Sequence, residues 1–141
     1  MTALRMRKDP VRAVAPYMPS DEERRFLNLL RLVGRDCRAK ARADLFQACA
    51  TLSVDSSAAK MAHAEVLMRC LSQALEKTPI FYRPGEQSLS FDEAWLLQLA
   101  SAIARGDTDS RTFLLHSRIV PHARRNCAFL VSAIVDQFSL N

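Results

Sequence analysis

The sequence has very little glycine, three residues in a chain of 141. Sheets joined by tight hairpins usually need glycine at positions of positive φ, so an all-β architecture is disfavoured. Hydrophobic residues make up 49% of the chain, which is enough apolar material for one folded core. The composition therefore favours an all-α protein with a single bundle domain.

The sequence also lacks an apolar leader, an apolar run long enough to span a membrane, and any C-x-x-C pair. Four widely spaced cysteines, at positions 37, 49, 70 and 127, fit neither a disulfide framework nor a zinc knuckle. We therefore expect reduced and mostly buried thiols, no bound metal, no membrane association and a cytoplasmic location.

Motifs of catalysis are missing as well. There is no glycine-rich phosphate loop, no G-x-S-x-G and no E-x-x-H pair. His116, His122 and Cys127 are separated by six and five residues, so they do not share one face of a helix. The sequence thus indicates no catalytic residue and no cofactor, and it favours a protein that is not an enzyme.

What the sequence does contain is helical periodicity. Residues 1–19 combine basic residues with three prolines and are predicted to form a flexible basic arm, followed by a bundle domain over residues 20–141. Ser20 and Glu23 form a capping-box pattern, after which apolar or small residues recur at steps of three or four through Gly34 to Leu52. One long helix of roughly 45–50 Å is predicted, longer than a compact domain of this size needs, which suggests a homodimer.

Later signals predict the remaining helices. An apolar stripe runs from Met61 to Leu75, and Ser90 with Glu93 forms a second capping box that begins a helix closed by Gly106. A short helix capped by Asp107 or Asp109 is expected to run through Leu115, and Pro121 suits the first turn of a last helix. The expected fold is an all-α bundle of five or six helices.

An arginine stripe is the main candidate binding feature. On the long helix, five arginines fall within an arc of about 60°, and no acidic residue of that helix lies in the arc; they are Arg24, Arg31, Arg35, Arg38 and Arg42. Guanidinium groups suit carboxylates and phosphates. Two interpretations stay open: a solvated face whose charges pair with a neighbouring helix, or a docking face for an acidic partner.

A second candidate lies between residues 116 and 125, where His122, Arg124 and Arg125 fall at the start of the last helix. Cations at a helix N-terminus are unfavourable by about 0.3–1 kcal/mol each. Either a bound anion or carboxylates from elsewhere would offset that cost. A small enzyme or ligand-binding protein with an anion pocket here is one alternative function.

The third candidate is the apolar and aromatic loop IFYRPGEQSLSFDEAW at residues 80–95. Pro84 and Gly85 suit the central positions of a type II turn, and Ile80 and Tyr82 would alternate with Phe81 and Arg83. The aromatic residues either close one end of the bundle or join Arg83 in an interface with a partner.

This loop also carries a family resemblance. The segments FYRPG at residues 81–85 and SFDEAWLL at residues 90–97 resemble a pattern in short, uncharacterised all-helical proteins of alphaproteobacteria, over about residues 70–135. The resemblance implies a bacterial, cytosolic helical protein.

From these features we expect a non-enzymatic interaction or regulatory protein. Its arginine stripe would dock an acidic protein surface or a second copy of the chain, with Phe81, Tyr82 and Arg83 contributing to the contact. The net charge of +5 is compatible with this and with the main alternative, a nucleic-acid-binding protein that uses the basic arm and the same arginines.

Overall fold

The computed structural model describes residues 18–37, 46, 47, 49, 60–138 and 140. These residues form five α-helices and one 3-10 turn, with no strand among them, so the predicted all-α bundle is confirmed. The elements are α1 (Asp21–Cys37), α2 (Lys60–Leu75), α3 (Phe91–Arg105), α4 (Thr108–Arg118), the 3-10 turn (Pro121–Ala123) and α5 (Arg124–Val135). Phe46, Gln47 and Cys49 are also helical.

Helix α1 begins at the predicted capping box. The Ser20 amide donates to Glu23 Oε1 at 2.8 Å, and the Glu23 amide donates to Ser20 Oγ at 3.2 Å. With 17 residues, α1 is the longest of the five described helices, and it runs without a break through Gly34. The predicted continuation toward Leu52, on which the expected homodimer rested, lies largely outside the described residues, as does the arm of residues 1–17.

The helices pack in a chain of neighbours. Helix α1 packs on α2, α2 packs on α5, and α3 packs on both α5 and α4, while α1 and α3 share only a small contact. The predicted stripes supply this core, since Phe26, Leu30, Leu71, Leu130 and Ile134 are all buried. The contact between α1 and α3 therefore depends on side chains and on the loop that precedes α3, rather than on a broad helix interface.

Gly34 of α1 faces Met68 of α2. A Cβ atom at this position would lie 2.8 Å from the terminal methyl of Met68 on α2. The methyl is the far end of a flexible side chain and can move aside, unlike backbone atoms. Alanine at position 34 should therefore be tolerated, because only the Met68 side chain has to move.

The ends of α3 and α4 follow local sequence signals. Ser90 and Glu93 form the predicted capping box of α3, and Gly106 ends the helix in the left-handed region with φ of 71°. Asp107, one of the two predicted caps, accepts from the Ser110 amide at 3.1 Å and caps α4. These helix ends are set by hydrogen bonds between residues that lie close in sequence, not by burial.

Two predicted boundaries need correction. Helix α4 extends to Arg118, beyond the predicted end at Leu115. Pro121 does not lie in the first turn of the last helix, because residues 121–123 form a separate 3-10 turn in which the Ala123 amide donates to the Val120 carbonyl at 3.0 Å. Helix α5 then begins at Arg124.

Among the described residues, no helix combines the length and the apolarity that crossing a membrane requires.

Substituting alanine at two glycines should change stability in opposite directions. Gly34→Ala should raise the free energy of unfolding by up to about 1 kcal/mol, because alanine favours the helix interior and Met68 can shift. Gly106→Ala should lower it by about 1 kcal/mol, because alanine is strained at positive φ. Urea unfolding of both variants measures the difference. A loss of stability in Gly34→Ala would show that Met68 is held rigidly.

Candidate functional site: a loop fixed beside a basic groove

The connecting loop, residues 76–90, joins α2 to α3. Helix α2 ends at Leu75, and Glu76 adopts a left-handed φ of 59° that turns the chain out of the helix. Further on, the Glu86 amide donates to the Arg83 carbonyl at 3.1 Å, and Gly85 has the positive φ, 88°, that the third position of a type II turn requires. The loop therefore contains one tight turn, at the position that the Pro84–Gly85 pair predicts.

Arg31 of α1 anchors this loop through hydrogen bonds from its guanidinium group. Its Nε and Nη2 atoms donate to the Glu93 carboxylate at 2.8 and 2.9 Å. Nη2 also donates to the Ser88 carbonyl at 3.1 Å, and Nη1 donates to the Glu86 carbonyl at 2.9 Å and to Asn28 Oδ1 at 3.3 Å. A guanidinium has five N–H donors, so each one has an acceptor here.

Glu93 of α3 is the centre of the same network. Besides Arg31, its carboxylate accepts from the Tyr82 amide at 2.8 Å and from the Ser90 amide at 3.0 Å. The side chains of Arg31 and Glu93 are only 1% and 0% exposed. The pair, with its backbone partners, links α1, the connecting loop and α3 through atoms that have no access to water.

This burial corrects the predicted arginine stripe. Arg31 was expected on an exposed face that docks a partner, but it lies in the interior and is neutralised by Glu93 of the same chain. The stripe is divided further, because Arg24 donates to the Gln87 carbonyl at 3.3 Å while Arg35 is exposed. Arg38 and Arg42 lie outside the described residues. A continuous docking face of five arginines along one helix is therefore not the arrangement of this fold.

A second ion pair, between Arg118 of α4 and Asp92 of α3, also anchors the loop. Arg118 Nη2 of α4 lies 2.5 Å from Asp92 Oδ1, and Asp92 Oδ2 accepts from the Ile80 amide at 2.7 Å. The Arg118 guanidinium also stacks on Phe91 and Trp95, at 4.9 and 5.3 Å from the ring centroids. Consecutive carboxylates at the start of α3 thus hold alternate residues of the loop.

The connecting loop forms one wall of a groove of about 430 Å³, which we call the basic groove. Residues 78–84 line one side, and the opposite side is formed by Gly34, Arg35 and Cys37 of α1 with Met68 and Arg69 of α2. A groove of this volume is within the range of natural ligand sites.

Three guanidinium groups give the groove its charge. Arg35 and Arg83 are exposed, and within the described part of the chain neither guanidinium has a carboxylate partner. Arg69 is partly exposed and lies 3.6 Å from Glu65 one turn earlier on α2, so its positive charge is partly offset at the rim. Apolar residues, among them Met68, Phe81, Pro79 and Pro84, line the same groove, so the surface is both basic and apolar.

The aromatic loop residues divide between core and surface. Phe81 is partly buried and packs against the hydrophobic core, whereas Tyr82 is 38% exposed and Ile80 is 59% exposed. The predicted alternation is therefore present for residues 80–82, and Arg83 is exposed as well. Phe81 anchors the loop, while the side chains on either side of it face outward.

The residues of the predicted anion pocket lie mostly at the surface. His116, His122 and Arg125 are exposed, and Arg124 donates through Nε to the Ile119 carbonyl at 2.9 Å. The first turn of α5 contains no acidic residue and its N-cap, Ala123, makes no side-chain bond. The anion site at His122, Arg124 and Arg125 stays a prediction.

The four cysteines are buried and outside any disulfide, as the sequence predicts. Burial raises the pKa of the Cys127 thiol to about 12, and the nearby Cys49 thiol adds to the shift. Burial likewise raises the pKa of Cys49 to about 11, with a smaller effect of Cys70. Such thiols are poor nucleophiles. No group of three metal-ligating side chains occurs in the described part of the chain.

Sequence reasoning missed the partners of Arg31. Glu93 was recognised only as a capping residue, and Asp92 and Arg118 were not singled out. The sequence held one clue to these distant partners. The capping box uses only the carboxylate of Glu93, so the neighbouring Asp92 has no part in the box. The groove itself gave no signal in the sequence, since α1, α2 and the loop meet only in three dimensions.

Removing the charge of Glu93 should be costly. Glu93→Gln retains the shape of the side chain but leaves the buried Arg31 cation without its counter-ion, so we expect a loss of about 3–5 kcal/mol in urea unfolding. Glu22→Gln, the same change at the exposed Arg25 pair, should cost less than about 1 kcal/mol. The double variant Arg31→Met, Glu93→Gln should recover part of the loss. Equal effects of Glu93→Gln and Glu22→Gln would contradict the structural role of the buried pair.

The raised thiol pKa values predict a loss of stability in alkali. Cys127 stays neutral in the folded protein but ionises in the unfolded chain above its ordinary pKa of 9.0, so rising pH favours unfolding until the folded pKa is reached. Between pH 8 and pH 10 this thiol should account for a loss of about 1.3 kcal/mol. The measurement is the pH dependence of urea unfolding in the wild type and in Cys127→Ala. The same dependence in both proteins would be inconsistent with a buried neutral thiol.

In comparisons with protein-family models, with curated proteins and with solved structures, no match to this chain was found. The resemblance to alphaproteobacterial helical proteins therefore stays a prediction, and the candidate site rests on the geometry described above.

Proposed function

We propose that this protein is a non-enzymatic interaction protein whose basic groove binds an acidic segment of another protein. The observation that carries the proposal is the joining of Arg35, Arg69 and Arg83, from three separate parts of the chain, around one groove with apolar walls. This keeps the acidic partner expected from the sequence but moves its site from the arginine stripe to the groove.

The chemistry of the groove favours a peptide with both acidic and apolar side chains. Guanidinium groups at the rim suit carboxylates, which they bind through forked hydrogen bonds. The apolar atoms of Met68 and Phe81 in the same groove suit aliphatic side chains, whose burial adds affinity that charge alone would not give.

A protein segment fits this surface better than the two other expected partners. Nucleic-acid backbones need a row of cations but do not use apolar walls, and here the row is interrupted by the burial of Arg31. A second copy of the chain would bring an equally basic groove, so two grooves facing each other would repel. Four buried cysteines outside any disulfide are compatible with a reducing cytoplasm, which we include in the proposal.

The test uses a fluorescein-labelled peptide in which Val and Glu alternate, with fluorescence anisotropy as the readout. The wild type should bind this peptide and should bind its Val–Gln analogue far more weakly. Arg35→Glu and Arg83→Glu should each weaken binding roughly tenfold, because an attraction becomes a repulsion. Arg111→Glu is the matched control, since Arg111 is exposed on α4 and does not line the groove.

The outcome that contradicts the proposal is an equal effect of all three reversals, which would show a response to net charge only. A short duplex DNA serves as the competing ligand. Tighter binding to DNA than to the peptide, with a steep dependence on salt, would favour the nucleic-acid alternative instead.

A further inference from the structure

Residues 80–82 of the connecting loop form backbone hydrogen bonds along only one of their two edges. The Ile80 amide donates to Asp92, the Ile80 carbonyl accepts from Ser90 Oγ at 2.6 Å, and the Tyr82 amide donates to Glu93. Backbone groups of alternate residues in an extended chain point to the same side. Residues 80 and 82 therefore direct their backbone polar groups toward the start of α3.

The other edge carries the backbone groups of residues 79, 81 and 83. Within the described part of the chain, neither the Phe81 backbone nor the Arg83 amide takes part in a hydrogen bond. In order along the chain, this edge offers the Pro79 carbonyl, the Phe81 amide and carbonyl, and the Arg83 amide. It thus has the alternating acceptors and donors of a β-strand edge, with no hydrogen-bonded neighbour among the described residues.

We propose that an acidic peptide binds the basic groove as an extended strand paired with this edge. The inference rests on the proposed function and adds the geometry of recognition to it. Main-chain hydrogen bonds to Phe81 and Arg83 would supply affinity that is independent of sequence, and the side chains of alternate peptide residues would supply specificity.

Three features support an extended peptide at this edge. Residues 78–84 line the groove, so a strand placed against them would lie within it. The guanidinium groups of Arg35 and Arg83 border the same groove, so acidic side chains on one face of that strand would meet opposite charge. Asp92 and Glu93, the carboxylates of the two ion pairs, already hold the Ile80 and Tyr82 amides in place, so little ordering of the protein is needed on binding.

The edge is also limited in length. Pro79 and Pro84 have no amide hydrogen, so the donors of the edge end at Phe81 and Arg83. A short edge bounded by prolines resists open-ended pairing between copies of the protein. It accommodates a peptide of a few residues, not the repeated addition of strands.

The test uses backbone variants of the alternating Val–Glu peptide. In a strand of this sequence all Glu amides face one edge and all Val amides face the other, whatever the register. An ester that replaces the amide of a central Glu, compared with one that replaces the amide of a central Val, should weaken binding roughly threefold to tenfold at one of the two positions only. The wild-type full chain and fluorescence anisotropy are used throughout.

Amide hydrogen exchange on the protein gives a second readout. Addition of the unmodified peptide should slow exchange of the Phe81 and Arg83 amides, while Ile80 and Tyr82, already bonded to Asp92 and Glu93, serve as internal controls and should not change.

The outcomes separate the two proposals. If both esters bind like the parent peptide and Phe81 and Arg83 gain no protection, strand pairing is overturned. Groove binding through the arginines still stands in that case, provided that Arg35→Glu weakens it. If the unmodified peptide does not bind the wild type at all, both proposals fail.

Discussion

The buried ion pair of Arg31 and Glu93 is the constraint on which the rest of the site depends. Together with Asn28 and two loop carbonyls, Glu93 satisfies every donor of the Arg31 guanidinium, and the pair ties two helices that have little direct contact to the loop that precedes α3. A buried pair of this kind contributes little net stability compared with apolar residues of similar size, but breaking it is costly. Its consequence is therefore conformational: the loop can leave this position only by exposing or orphaning a buried charge.

A loop held in this way has the properties of a preorganised binding surface. Phe81 packs inward while Ile80 and Tyr82 face solvent, and the Pro84–Gly85 turn fixes the direction in which Arg83 leaves the loop. Ordering a flexible loop on binding would cost free energy for each immobilised residue, and here that cost is met during folding. The same bonds that hold residues 80 and 82 leave the backbone of residues 81 and 83 directed away from α3.

The arginines illustrate how one residue type acquires different roles. Arg31 lies among backbone carbonyls and a carboxylate in the interior, Arg24 contacts a loop carbonyl at the surface, and Arg35 borders the basic groove. All three were placed on one face by helical periodicity, and that placement holds for α1. The three arginines differ in what covers their turn of the helix: the connecting loop covers Arg31 and leaves Arg35 exposed.

The sequence by itself determined the helical class, both capping boxes, the tight turn at Pro84–Gly85 and the burial of the thiols. Each of these depends on interactions between residues close in sequence or on the apolar periodicity of one helix, so the pattern contains the physical cause. The partner of Arg31, the second ion pair and the groove were decided only by the tertiary structure. Arg31 and Glu93 are separated by 62 positions, and no local pattern shows which carboxylate will meet which guanidinium when both lose their water. That choice follows from the packing of α1, α2 and α3, and it turned an apparent surface charge into the interior support of the loop.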